Sequence, residues 1–126
     1  MSQDTLPEDL IRFINTSIPG IPFLEALLLL RTEPGKSWDV ESVGNRLYLP
    51  ATMVTDLLKS LCAAGMATEA LSQFRYQPRS DELRDLIDRL SECYQNNLVE
   101  VTRIIHSSTG NKAQIFADAF KWKRDP

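Results

Sequence analysis

The sequence predicts a mainly α-helical fold that carries one small β-hairpin. Three observations lead there. The chain has 126 residues, 43% hydrophobic and 25% charged, which suits one folded domain with its own core rather than a disordered polymer. Apolar residues recur at spacings of three and four over several separate stretches. After Gly65 that period falls toward two before Pro78 stops it.

The first helix is announced by Thr5-Leu6-Pro7-Glu8, a side-chain cap followed three residues later by Glu, with Pro in the first turn. Leu10, Ile11, Phe13, Ile14 and Ile18 supply its apolar face. Pro19-Gly20-Ile21-Pro22 breaks the pattern. Residues 23–31 resume it as a second helix so apolar that most of its faces must be buried, the expected centre of the core. Glu33-Pro34-Gly35-Lys36 reads as a turn, and Trp38 beside it as a short bridging strand or an aromatic plug. Asp39 caps a brief helix over residues 40–47, with Val43 and Leu47 inward. Leu49-Pro50 separates it from a helix over residues 51–64, where Val54, Leu57, Leu58 and Leu61 fall on one face and Gly65 takes the C-cap position.

The hairpin is expected from residues 66–71 and 74–77, joined by a polar turn at Ser72-Gln73. Ser80, Asp81 and Glu82 then open a helical pattern of roughly 25 residues, about twice the ordinary length. Its stripe holds Leu83, Leu86, Ile87, Leu90, Cys93, Tyr94, Leu98, Val101, Ile104 and Ile105. A helix that long needs a partner surface: packing across the chain's own first two helices is one solution, and pairing with a second copy along Leu86, Leu90, Tyr94, Leu98, Val101 and Ile105 is the expectation. Gln95-Asn96-Asn97 interrupts the stripe, as a solvated turn or as a register-setting Asn97 at a two-fold seam. Beyond Ser107-Ser108-Thr109-Gly110-Asn111, a tail sets Ile115, Phe116, Ala119 and Phe120 on one face and ends in Lys121, Trp122, Lys123 and Arg124. Phe116, Phe120 and those four residues are its contact candidates, for phosphate, an anionic surface or an acidic groove. The plainer account docks the apolar ones on the body and leaves the cations in water. The organisation read from this is a body over residues 1–79, with residues 80–126 as the long helix and tail of the same compact domain.

Several function classes find no support. Cys62 and Cys93 sit in separate helical patterns, remote from the single histidine, His106, so neither a zinc cluster nor a disulfide framework is expected. No catalytic spacing surrounds His106, and the five glycines are scattered without a phosphate-cradling loop; no enzyme activity, metal or cofactor is expected. The acidic start has no signal-like apolar core, and the longest apolar run is far short of a membrane span, so the expectation is a cytoplasmic protein without one. The net charge of -3 provides no general attraction for nucleic acid, so DNA affinity would have to come from local patches.

The order of elements resembles the winged helix-turn-helix domain of bacterial transcriptional regulators of the MarR/PadR-like type. The stretch that carries it runs from Trp38 through Asp39-Val40-Glu41-Ser42-Val43-Gly44-Asn45-Arg46-Leu47 and Leu49-Pro50 to Leu61-Cys62-Ala63-Ala64-Gly65-Met66. It is similar to a scaffold helix, a turn, a recognition helix with a small polar start, and a leucine-to-glycine ending that leads into the wing. The resemblance covers about residues 23–77. It implies a recognition helix over residues 51–63 exposing Ala51, Thr52, Thr55, Asp56, Lys59 and Ser60, and a wing tip at Ser72-Gln73. It further implies that Thr52, Thr55 and Lys59 enter the major groove of double-stranded DNA while Arg46, Arg75 and Arg79 touch phosphates. Two positions depart from it: Thr55 and Asp56 stand where DNA-reading members usually present Arg, Lys, Gln or Asn, and the Asp56 carboxylate would face phosphates and weaken binding. Two expectations follow, a dimeric DNA-binding regulator or, alternatively, a winged-helix module that binds a protein partner without reading DNA.

Overall fold

A computed structural model of the chain describes residues 6–107. The fold is mainly helical with one two-stranded antiparallel sheet, as the sequence predicts. In chain order it contains α1 (Glu8–Ser17), α2 (Ile21–Thr32), α3 (Val40–Leu47), α4 (Ala51–Ala63), β1 (Ala67–Ala70), β2 (Gln73–Tyr76) and α5 (Asp81–Asn96). A further helical stretch covers residues 98–107. Two compact units divide the chain: Met1–Ile21 together with Glu92–Pro126, and Pro22–Ser91.

In the unit Pro22–Ser91, α2 is apolar on nearly every face, and Phe23, Leu24, Ala26, Leu27, Leu29 and Leu30 are all buried. Helix α3 begins where expected because the Asp39 carboxylate accepts the Ser42 N–H at 2.7 Å, satisfying one of the donors a helix start leaves open. Helices α3 and α4 pack on each other, and α4 also packs on β1. Val54, Leu58 and Leu61 are the fully buried face of α4. Leu57, expected with them, is half-buried, because it stands a third of a turn away from Leu58.

Trp38 satisfies both of its sequence readings. Its N–H donates to the Phe74 carbonyl and its carbonyl accepts the Phe74 N–H, each at 2.7 Å, so it forms a one-residue bridge on β2. Its side chain is also fully buried. The hairpin register pairs Ala67 with Tyr76 and Ala70 with Gln73. The connecting turn is therefore Leu71-Ser72, one residue earlier than the Ser72-Gln73 expected from polarity. Both turn residues adopt the left-handed conformation, φ +54° and +64°. A two-residue loop that matches strand twist requires this backbone, so register overrides the usual preference for Asn or Gly.

In the unit Met1–Ile21 with Glu92–Pro126, α1 starts at Glu8, with Pro7 at the cap position and its carbonyl accepting from Leu10 and Ile11. The Thr5 cap expected from sequence lies outside the described residues. Among the described residues, Leu6, Leu10, Phe13, Ile14 and Ile18 from the N-terminal segment, and Val101 and Ile105 from residues 98–107, are its buried apolar residues.

The single helix of roughly 25 residues is replaced by two. Asn97 ends α5, its N–H donating to the Cys93 carbonyl at 2.7 Å, and starts the next turn, its carbonyl accepting from Val101 at 3.0 Å. Asn96 and Asn97 are poor helix formers whose side chains compete for backbone hydrogen bonds, and Gln95 and Asn96 are exposed.

Candidate functional site

The segment that the resemblance singled out is built by α3, α4 and the hairpin, all within one unit. Its turn is tight for a stated reason. A Cβ on Gly44 would stand 3.0 Å from the Leu49 carbonyl oxygen and 3.7 Å from a Val54 methyl, so the backbone crosses α3 where no side chain fits easily. The Tyr48 and Leu49 N–H groups both return to the Gly44 carbonyl, with Tyr48 held in the left-handed conformation at φ +59°. Tyr48 is 91% exposed.

Helix α4 shows water Ala51, Thr52, Asp56, Lys59 and Ser60, as expected, and Met53 as well; Thr55 is half-buried. The lysine on this face is not available to a phosphate at no cost. Lys59 Nζ lies 2.9 and 3.2 Å from the two carboxylate oxygens of Glu69 on β1. Register explains the pair: Glu69 is on the sheet face shared with Ala67, Phe74 and Tyr76, the face next to α4.

The arginines divide by their neighbours. Arg75 is exposed on the opposite sheet face and donates to the Gln77 side chain at 3.1 Å. Arg79 lies across the C-terminus of α4. Its N–H donates to the Gly65 carbonyl at 2.8 Å, its guanidinium reaches the Ala64 carbonyl at 3.4 Å, and a Cβ on Gly65 would come within 2.7 Å of its Cδ. A cation there complements the partial negative charge of a helix end, so Arg79 has structural work before any phosphate contact. Arg46 sits 5.6 Å from the Trp38 ring centroid.

At the hairpin tip, Leu71 is 97% exposed. Burial pushes the Cys62 thiol pKa above its ordinary value, Glu69 adds to this, and Lys59 opposes it, so the thiol stays in its less reactive protonated form. Among the described residues, no group of three or more His, Cys, Asp and Glu is placed to hold a metal ion, and no single helix is long and apolar enough to cross a membrane.

The residues expected to pair two copies are not used alike. Leu90, Val101 and Ile105 are fully buried within the single chain, whereas Leu86 and Tyr94 are half-buried. Leu98 is 52% exposed and its neighbour Val99 80%. These two share an open depression with Thr102, Arg103 and His106. The tail candidates Phe116, Phe120, Lys121, Trp122, Lys123 and Arg124 lie outside the described residues. Sequence reasoning missed Tyr48, Met53 and Leu71 because exposure of a large apolar residue leaves no periodic signal. It also missed Lys36, whose ammonium stands 3.9 Å from the centre of the Trp38 ring. No protein-family model, curated protein or solved structure matches this chain.

Proposed function

We propose that the chain is a winged-helix interaction module whose α4 and hairpin face docks on a protein partner, without catalysis and without reading DNA sequence. The order α2, Trp38 bridge, α3, α4, β1, β2, with Trp38 and β1 both paired to β2, supports the winged-helix assignment. The observation that carries the functional reading is the character of the α4 face. Its lysine is neutralised by Glu69 and its next charged neighbour is the exposed Asp56, while Tyr48 and Leu71 hold large apolar side chains in water. A duplex repels that face, because every phosphate approaching Asp56 adds a like-charge contact. A protein surface gains from it, since aromatic and aliphatic anchors drive association when they enter a partner's pocket.

The dimeric DNA-binding regulator is the second reading, favoured by the exposed Arg46 and Arg75, neither of which is ion-paired among the described residues. A photoreactive residue in place of Leu71 separates the two. Adducts in cells should form with protein; adducts with nucleic acid overturn the module. Titration of labelled random duplex at low salt gives the complementary result. No saturable binding is expected, either by the unmodified protein or by Asp56→Asn. A regulator would instead bind more tightly as Asp56→Asn, and Arg75→Ala would flatten its salt dependence by about one unit of slope.

A further inference from the structure

We propose that Lys36 and Arg46, gathered over the indole of Trp38, form a binding site for the phosphate group of a small phosphomonoester. Lys36 Nζ lies 3.9 Å and Arg46 Cζ 5.6 Å from the centroid of that ring. The platform is rigid: the Trp38 backbone is paired to Phe74 in both directions at 2.7 Å, and its side chain is buried. Lys36 comes from the turn after α2 and Arg46 from the last turn of α3, so two different elements bring cations to one ring.

Other cations of the chain hold carboxylates at close range: Arg31 with Asp88, Lys59 with Glu69, and Arg103 with Glu100. The Lys36 and Arg46 side chains are both exposed, and neither makes an ion pair or hydrogen bond among the described residues; their shared neighbour is the ring. Two like charges beside one ring repel each other, and the π face offsets only part of that repulsion. An anion within reach of both removes the repulsion and gains charge-assisted hydrogen bonds from them.

Charge matching selects the ligand. A phosphomonoester carries close to two negative charges near neutral pH, equal to the two cations, whereas each phosphodiester of a nucleic-acid backbone carries one. The unit Pro22–Ser91 has eight Lys and Arg against ten Asp and Glu, so its field opposes a long polyanion but leaves a small one to the local pair. One competing anion is internal. The Asp39 carboxyl is held below its ordinary pKa chiefly by the Ser42 N–H and hydroxyl, and weakly by Lys36.

The site reports on itself, because the chain has two tryptophans and Trp122→Phe leaves Trp38 as the only indole. Inorganic phosphate and glycerol phosphate, titrated at constant ionic strength against chloride, should produce a saturable change in Trp38 emission. Lys36→Gln with Arg46→Gln should weaken it roughly tenfold or more, since both charges are removed. Asp39→Asn keeps a good helix cap and should tighten binding by removing the internal competitor. Far-UV circular dichroism checks that each variant is folded. A response equal to that of chloride, or one that survives the double substitution, overturns the site. A response to a short random duplex with none to the two small phosphates overturns it as well.

Discussion

Helix α4 and the apolar stripe from Leu83 to Ile105 share one pattern, apolar residues at spacings of three and four, and the fold uses the two differently. In α4 the stripe is continuous, with Val54, Leu58 and Leu61 fully buried and the opposite face in water. In the longer stripe, Leu83, Ile87 and Leu90 are buried on α5, the helix stops at Asn97, and Val101 and Ile105 are buried on the next helix while Leu98 and Val99 face outward. Periodicity therefore identifies an apolar face but not where its helix ends. Nor does it say whether the face meets its own chain or another.

The comparison breaks most visibly at the buried positions. Leu58→Ala and Leu90→Ala should each cost about 2 to 5 kcal/mol by chemical denaturation, since both side chains are fully buried and each truncation leaves a cavity. Equal losses would show that the two stripes serve one stability; a small loss at Leu90 would mean that α5 packs loosely and α4 alone holds the core.

The end of α4 sharpens the contrast with the end of α5. Gly65 has φ +77°, and an added Cβ would meet the Arg79 side chain at 2.7 Å, so Gly65→Ala should cost roughly 1 to 3 kcal/mol. Adding Arg79→Ala should recover the part due to crowding and leave the backbone part. No such constraint guards Asn97, which is replaced there by hydrogen bonds at 2.7 and 3.0 Å.

A smaller effect tests the polar ties between α2, α5 and β2. Arg31 holds Asp88 at 2.9 Å and Ser91 at 3.2 Å, and the nearby Tyr76 hydroxyl is buried with no hydrogen-bond partner at standard geometry. Burial, then Asp88, raises the Tyr76 pKa above its ordinary 10.0, against the pull of Arg31. The unfolded chain thus releases this proton at a lower pH than the folded one, and the associated stability declines as pH rises beyond about 10. Tyr76→Phe should remove that alkaline decline and change neutral-pH stability by no more than about 1 kcal/mol, read from denaturation curves at several pH values.

The smallest stability effect is expected at the exposed end of the long stripe. Leu98→Glu should stay within about 0.5 kcal/mol of the unmodified protein, because the side chain already meets water. Light scattering completes that test. An unchanged mass places Leu98 on a free surface, while a dimer that falls to monomers on this substitution restores the seam expected from sequence.

The sequence by itself determined the helices whose ends carry chemistry: Asp39 at the start of α3, Leu49-Pro50 between α3 and α4, and Gly65 after α4. Local rules suffice there, because a cap, a proline and a left-handed glycine act over only a few residues. It also determined the buried face of α4, since a 3.6-residue period projects directly onto one side of a helix. Only the tertiary structure decided the turn at Leu71-Ser72, where strand pairing forced two unfavourable residues into left-handed conformations. It alone joined Lys59 to Glu69 and brought Lys36 and Arg46 to one indole. Those partnerships depend on where α4 meets β1 and where the Trp38 bridge anchors the turn beside α3. Long-range packing fixes such distances, and no spacing along the chain encodes them.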